Sequence, residues 1–256
     1  MASVNSNKSL PLLTLSIVSH GDVEKLPRLL KSIQRHEEAH RLQVIITDNL
    51  GHELPDVNAS YWADFTILRN TKKKGFAHNH NQAFKIAKGK YFCILNPDII
   101  FTEPIFSALI EHLEKNPAII SPLIVDEKNT LQDSFRKFPT PLAILKRKLP
   151  AYSFSPLAPD ITGIIHPDWI AGMFMLMRSE NYKKLEGFDE RYHLYFEDVD
   201  LCARARYLGL LPLVDTNLHI QHDAQRSSRK NFRYLLWHIQ SAVRFFSSKV
   251  YKDLKR

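Results

Sequence analysis

The sequence predicts an α/β fold, a mostly parallel sheet with helices on both faces, followed by an amphipathic helical tail. Three observations predict it. Apolar runs rich in β-formers alternate with helix-periodic segments through the first half of the chain. Polar and acidic residues stand directly after several of those runs. Arg226–Arg256 then carries the whole charge excess, on a segment whose apolar residues recur at helical spacing.

Leu12–Ser19 (LLTLSIVS) reads as a buried strand, and Asp22–His36 as a helix whose Leu26, Leu29, Leu30 and Ile33 share one stripe, with Asp22 as N-cap. Gln43–Asn49 and Asp64–Asn70 are the next strands. Ala77–Lys88 is a helix that stops at Gly89. Tyr91–Asp98 is a strand, Pro104–Asn116 a helix and Ala118–Asp126 a strand. Such alternation implies βαβ units, and ligands of these sheets bind beyond the carboxyl ends of the strands. Ser19, Asp48 and Asp98 all stand at such ends. Six prolines between Pro139 and Pro167 interrupt the pattern, so residues 139–167 are expected to form a mobile loop or short helices. Regular structure returns over Asp168–Arg178, with a short helix near Ser179–Leu185, a turn at Gly187, a helix over Glu197–Leu208 and a strand over Leu210–Val214.

Composition bounds the rest. With 256 residues, 44% hydrophobic and 24% charged, the chain can bury one sizeable core. No run reaches the roughly 18 apolar residues that span a bilayer. Residues 1–10 are polar, expected to be flexible, and lack an apolar signal core, which points to a cytoplasmic protein. Cys93 and Cys202 lie in apolar settings and read as reduced core residues. Of 35 Lys and Arg, nine fall in 226–256 against one acid, Asp253, so the remainder balances at 26 against 26. The expected division is a body over 1–228 and a basic helical tail over 229–256. In the tail Phe232, Leu235, Leu236, Ile239, Val243, Phe246 and Val250 recur with Arg233, Arg244, Lys249 and Lys252 among them. That suits the surface of an anionic membrane, or a helix docked on its own domain or a partner subunit.

Several motifs could carry chemistry. Asn96-Pro97-Asp98 after a strand can hold Mg²⁺ or Mn²⁺ on a diphosphate, although it is also good turn chemistry. Phe196-Glu197-Asp198-Val199-Asp200 opens a helix, as a positioned base with supporting carboxylates or as plain dipole matching. His222, in a polar run, could complete a metal site, with His219 as its neighbour and rival. Asp48 can accept from a base or ribose. Lys72–Lys74 followed by Gly75 and the amides up to Asn81, Asn79 among them, suit a diphosphate, or a solvated basic turn. Neither GxxxxGK[ST] nor GxGxxG follows the first strand, which argues against P-loop and nicotinamide enzymes.

Together these residues resemble the family 2 glycosyltransferases of GT-A (Rossmann-like) fold, and within them the O-antigen and cell-wall rhamnosyltransferases. The matching runs are LSIVSHG (15–21), ITDN (46–49), KGFAHNHNQA (74–83), YFCILNPDII (91–100), RKFP (136–139), DWIAGMFMLMR (168–178) and GFDERYHLYFEDVDLCARARYLG (187–209), then His222 with Ser227-Ser228. The resemblance runs from about 12 to 245. It implies an inverting transfer of L-rhamnose from dTDP-L-rhamnose, a nucleotide-sugar, to a polyprenyl-diphosphate-linked saccharide on the cytoplasmic face of the inner membrane. Position by position it implies Asp98 and His222 as metal residues and Asp198 as catalytic base, with Glu197 beside it. It further implies Ser19, Asp48, Lys74, Gly75, Asn79 and Asn96 on the donor side, and Trp169, Ala171 and Gly172 beneath the acceptor. Asn96 occupies the first position of the DXD-type motif. Ala77 stands for the usual glycine, and Ser19-His20-Gly21 for the commoner Asn-Tyr-Asn. Another hexosyl or N-acetylhexosaminyl donor is the alternative within the family. A nucleotidyltransferase would need a glycine-rich basic loop after the first strand, and a nucleic-acid-binding module would leave Glu197–Asp200 without purpose. No nucleic-acid partner is therefore expected.

Overall fold

The computed structural model describes residues 10–21, 24–51, 54, 57–146, 163–223 and 232–255. Asp22, Ser227, Ser228, the 228/229 boundary and most of the proline-rich segment lie outside them. The order is β1 (Leu13–Ser19), α1 (Lys25–His36), β2 (Leu42–Asp48), β3 (Asp64–Arg69), α2 (Phe76–Phe84), β4 (Tyr91–Leu95), β5 (Ile99–Phe101), α3 (Phe106–Lys115) and β6 (Ala118–Val125). Then follow β7 (Phe135–Arg136), α4 (Pro141–Lys146), β8 (Ile164–Ile165), β9 (Trp169–Ile170), β10 (Phe174–Arg178), α5 (Ser179–Lys184), α6 (Glu197–Tyr207), β11 (Leu211–His222), α7 (Phe232–Ser247) and α8 (Lys249–Asp253).

The main sheet runs β3-β2-β1-β4-β10-β6-β11-β5, with β8 on β11, and β7 pairs with β9 apart from it. β3, β2, β1 and β4 are parallel, as are β6 and β11. β10 lies antiparallel between β4 and β6, so the sheet is mixed. All seven residues of β1 and of β2 are buried, which a central strand covered on both faces requires. Alternation sorts their side chains. Leu13, Leu15 and Ile17 face a core completed by Leu26, Leu29, Leu30 and Ile33 of α1 and by Leu109 and Leu113 of α3. Phe92, Ile94, Met175 and Met177 face the other way, onto Ala77 of α2, Tyr182 of α5 and Leu201 and Ala205 of α6. Each such side chain contributes about 1.5–3 kcal/mol. Cys93 and Cys202 are buried and free.

Several elements differ from expectation: β4 ends at Leu95 instead of Asp98, which lies in the turn before β5, and α2 and β11 differ as well. α2 ends at Phe84 instead of Lys88, because the chain must drop beside β1 to enter β4. Gln43 binds Lys88 N at 2.8 Å and Ile86 O at 3.1 Å, and a Cβ on Gly89 would stand 2.5 Å from Thr14 N. β11 continues to His222 instead of ending at Val214. It passes a register shift between Asp215 and His219 and then pairs with β5.

α7 and α8 pack on α6. Phe245 is fully buried beside Phe196 and Tyr251, and Ser241 Oγ donates to Leu194 O at 2.9 Å. The opposite side of α7 stays apolar and open, with Phe232, Leu235, Leu236, Ile239 and Val243 exposed. Among the described residues no helix is long and apolar enough to cross a membrane.

Candidate active site

Strand register brings Asp98 and His222 together. The Asn96–Asp98 turn joins β4 to β5, and His222 pairs with Ile99 at the end of β11. Asp223 N donates to Asp98 O at 2.9 Å, which closes the corner. His222 Nε2 then stands 3.2 Å from Asp98 Oδ1, and Lys25 Nζ, at the start of α1, is 3.5 Å from Oδ2. Gln132 decides the imidazole tautomer. Its amide nitrogen donates to His222 O at 3.0 Å, so its oxygen is what faces Nδ1 at 2.7 Å. Nδ1 therefore carries a proton, and Nε2, which faces the carboxylate, donates to it when the ring is charged and offers a lone pair when it is neutral. Burial pushes the Asp98 carboxyl up, but hydrogen bonding and charge from His222, with Lys25, outweigh it and hold it below its ordinary value. His219 is turned away and meets Glu103 at 3.7 Å.

With the ring neutral, Nε2 and the buried Asp98 Oδ1 are two acceptors 3.2 Å apart, which fit a small divalent cation, whose adjacent ligands at about 2.1 Å lie roughly 3 Å apart. Among the described residues no third His, Cys, Asp or Glu joins them. Such a cation would take its other ligands from substrate phosphate and water.

The ends of β1 and β2 form the next part. Ser19 and Asp48 are register partners, both buried. Asp48 Oδ1 accepts from Leu50 N and Gly51 N at 3.2 and 3.0 Å, while Oδ2 and Ser19 Oγ are buried without partners. Asn49 clamps the lysine loop through both amide atoms: its oxygen accepts from Lys74 N at 2.8 Å and its nitrogen donates to Lys74 O at 2.9 Å. Asn70 bridges Asn49 to Asn79, whose Nδ2 is buried and unmet. The Lys74 side chain is exposed. Gly75 must be glycine because a Cβ would stand 2.7 Å from His193 O, the carbonyl that also accepts from Phe76 N at 3.0 Å. His80 is fully buried, and that burial lowers its pKa to about 3, so it is neutral where it meets Ser16 Oγ at 2.8 Å.

Asp198 lies in the first turn of α6, together with Glu197 and Asp200, where acids oppose the dipole least. Its Oδ1 accepts from Val199 N at 2.8 Å and its Oδ2 from Gly172 N at 3.1 Å. Burial raises the carboxyl pKa of both Asp198 and Glu197, and the Asp198 charge adds to that of Glu197. Tyr195 and Phe196 precede them at φ 69° and 68°, a left-handed conformation that costs bulky residues about 1–3 kcal/mol each. The buried contacts of Phe196 with Phe245 hold it there. Trp169 Nε1 donates to Lys137 O at 3.1 Å, and Ala171 N to Ser134 O at 2.7 Å, which fixes the strip beneath the cleft. Gly172 leaves room for Phe76, whose Cζ would stand 2.9 Å from a Cβ. Asn96 N donates to Met173 O at 3.0 Å. The Gly172–Met173 strip thus touches Asp198, the Asn96–Asp98 turn and the Phe76 end of α2. Lys25, Asn49, Asn70, Gln132 and His193 were not singled out in the sequence. Only Asn49 carried a signal, as the residue after Asp48 at a strand end.

A sequence model of the family described as glycosyl transferase family 2 matches residues 14–182. Rhamnosyltransferase WbbL of Escherichia coli (strain K12) is 30% identical over 257 residues, which cover 93% of this chain and 94% of the relative. The N-acetylglucosaminyl-diphospho-decaprenol L-rhamnosyltransferase of Mycobacterium tuberculosis (strain ATCC 25618 / H37Rv) is 27% identical over 170 residues, 61% of this chain and 54% of that one. Among solved structures, GalNAc-T7 with UDP, GalNAc and Mn²⁺ superposes with a TM-score of 0.63 at 16% identity, over 84% of this chain and 44% of that one. The mannosyltransferase PcManGT of Pyrobaculum calidifontis, in complex with GDP-Man and Mn²⁺, gives 0.58 at 15% identity over 92% and 65%. At such identities the likeness concerns the fold, which is GT-A. The family match over most of the chain, and the near full-length relative, make this chain a member of glycosyl transferase family 2, a glycosyltransferase of the rhamnosyltransferase-like kind.

Proposed function

We propose that this enzyme moves L-rhamnose from dTDP-L-rhamnose onto a hydroxyl of a polyprenyl-diphosphate-linked saccharide, with inversion, in the synthesis of an O-antigen or related surface polysaccharide. The names of the two rhamnosyltransferase relatives support the sugar, and the diphospho-decaprenol in one of them supports the acceptor class. The observation that carries the reaction is the Gly172–Met173 strip, which is bonded both to Asp198 and to the turn that bears Asp98.

Asp48 and Ser19 receive the nucleoside through their unmet buried oxygens. Lys74, on the loop held by Asn49, faces the diphosphate, and Asn79, Gly75 and Asn96 shape that side. Asp98 and His222 would hold Mg²⁺ or Mn²⁺, which supplies positive charge to the leaving diphosphate. Asp198 takes the acceptor hydroxyl proton as that oxygen bonds to the anomeric carbon and the bond to the diphosphate oxygen breaks. Its burial raises its affinity for that proton, and two backbone N–H donors aim the carboxylate. One base without a nucleophile gives inversion, hence an α-L-rhamnoside from a β-linked donor. Trp169, Ala171 and Gly172 support the acceptor sugar. The open apolar side of α7 rests on the anionic cytoplasmic membrane surface, where such an acceptor resides.

The test is mass-spectrometric. The protein is incubated with a synthetic N-acetylglucosaminyl-diphospho-lipid, Mn²⁺ and, in separate tubes, dTDP-L-rhamnose, UDP-N-acetylglucosamine or GDP-mannose. A product heavier by one deoxyhexose in the first tube alone, lost on adding EDTA, is expected. Transfer from another donor only would overturn the rhamnose assignment.

A further inference from the structure

Beside the cleft, a groove of about 1040 Å³ lies between the Arg191–His193 loop and the α7–α8 corner. Its lining includes Arg191, His193, Trp237, Arg244, Lys249 and Asp200. Its charges do not cancel. Arg191 is engaged with both carboxylate oxygens of Asp189, and buried Asp200 is held by Arg204 at 2.7 Å. Arg244 and Lys249 are exposed, and among the described residues neither has a carboxylate within ion-pair distance. Two uncompensated cations on one concave wall repel each other, and an anion between them relieves that repulsion.

The rim is of the opposite chemistry. Ile239 and Val243, 45% and 60% exposed, belong to the lining and continue as the open apolar stripe of α7. A cationic wall under an apolar rim suits an anionic head with a hydrocarbon chain. The groove also shares elements with the reaction site. Asp200 lies on α6, which carries Asp198 on another face. The His193 ring packs on Trp237 with centroids 4.5 Å apart, and His193 O binds Phe76 N of the donor-side helix.

We propose that this groove binds the diphosphate of the lipid-linked acceptor through Arg244 and Lys249. Its prenyl chain then leaves over Ile239 and Val243, and its sugar extends toward Asp198. The proposal rests on the acceptor class put forward above. A phospholipid headgroup offers the same phosphate chemistry, so the experiment separates the two.

Farnesyl diphosphate, inorganic diphosphate and dTDP are each titrated calorimetrically, without donor sugar, into the full-length protein. The same titrations use Arg244→Ala/Lys249→Ala and Arg244→Lys, each checked by thermal melt. Flotation on phosphatidylglycerol vesicles is measured in parallel. Farnesyl diphosphate is expected to bind alongside saturating dTDP, more tightly than inorganic diphosphate. The double alanine variant should weaken it at least tenfold, and Arg244→Lys should restore most of the difference. Displacement of farnesyl diphosphate by dTDP would place it in the donor cleft and overturn the proposal. So would equal affinity in the double variant, or a loss confined to vesicle binding. No rhamnosyl transfer enters the measurement, so a wrong donor assignment would leave this result standing.

Discussion

His222 Nε2 faces Asp98 Oδ1 across 3.2 Å, and Gln132 holds the proton on Nδ1, so that with a neutral ring both facing atoms are acceptors. Two lone pairs held face to face are unfavourable unless a proton or a cation comes between them. Lys25, at 3.5 Å from the other carboxylate oxygen, offsets part of the charge. The arrangement is built by register alone, since His222 and Ile99 are strand partners and Asp98 precedes Ile99.

Gln132→Leu removes the group that selects the tautomer while leaving Asp98 and His222 in place. Such outer partners typically contribute 10–100-fold to metal affinity. Calorimetry should show Mn²⁺-dependent dTDP binding weakened by about that factor, with metal-free dTDP binding unchanged. Equal Mn²⁺ dependence in variant and wild type would mean that the tautomer does not matter.

Asp198→Asn preserves the shape of the carboxylate but cannot take a proton. Turnover should fall by roughly 10²–10⁴ while dTDP affinity stays within a factor of two or so. Because burial raises the Asp198 pKa, the acid limb of the wild-type rate profile should lie above the ordinary aspartate range. Near-normal turnover in the variant would move the role of base to Glu197.

Glu197 bears on stability. Its Oε2 is buried without a partner, and burial with the neighbouring Asp198 charge raises its pKa well above the usual value. The folded state therefore keeps this proton to higher pH than the unfolded chain does. The cost of its charge is absent below the unfolded pKa, near 4.3, grows as pH rises, and is complete above the raised folded pKa. Glu197→Gln removes the charge while keeping the shape, so Tm at pH 8 should rise above that of the wild type. The gain should shrink toward pH 4. A variant less stable than wild type at pH 8 would contradict this account.

Much of this site was legible because its residues end strands. β1, β2 and β4 are largely apolar runs, so Ser19 and Asp48 at their ends, and Asp98 just past β4, could be placed at one edge before any contact was known. The acids opening α6 were visible as a cluster. Contacts between distant segments were not visible. Gln132 lies 90 residues from His222, and nothing local marks it. β11 looked finished at Val214 because the polar residues beyond the register shift break the apolar run, yet pairing with β5 and β6 carries it to His222. The antiparallel insertion of β10 was hidden too, because a strand buried on both faces reads alike in either direction.

The last prediction separates the two faces of α7. The sequence left open whether its apolar residues meet a membrane, the protein's own body or a partner subunit, and the helix has one buried side and one open apolar side. Phe245 is fully buried against Phe196 and Tyr251, so Phe245→Ala should open a cavity costing about 3–5 kcal/mol. Tm should fall by roughly 6–20 °C, and truncation before Phe232 should do at least as much harm. Leu236 and Ile239 are 41% and 45% exposed, so Leu236→Ser/Ile239→Ser should leave the melt within about a degree or two. The same double variant should lose flotation with phosphatidylglycerol vesicles. Wild-type flotation should weaken steeply with salt, because each Lys or Arg near an anionic surface contributes about 1 kcal/mol within a Debye length. Flotation unaffected by the serines, or a large drop in their Tm, would show that this face does not meet lipid.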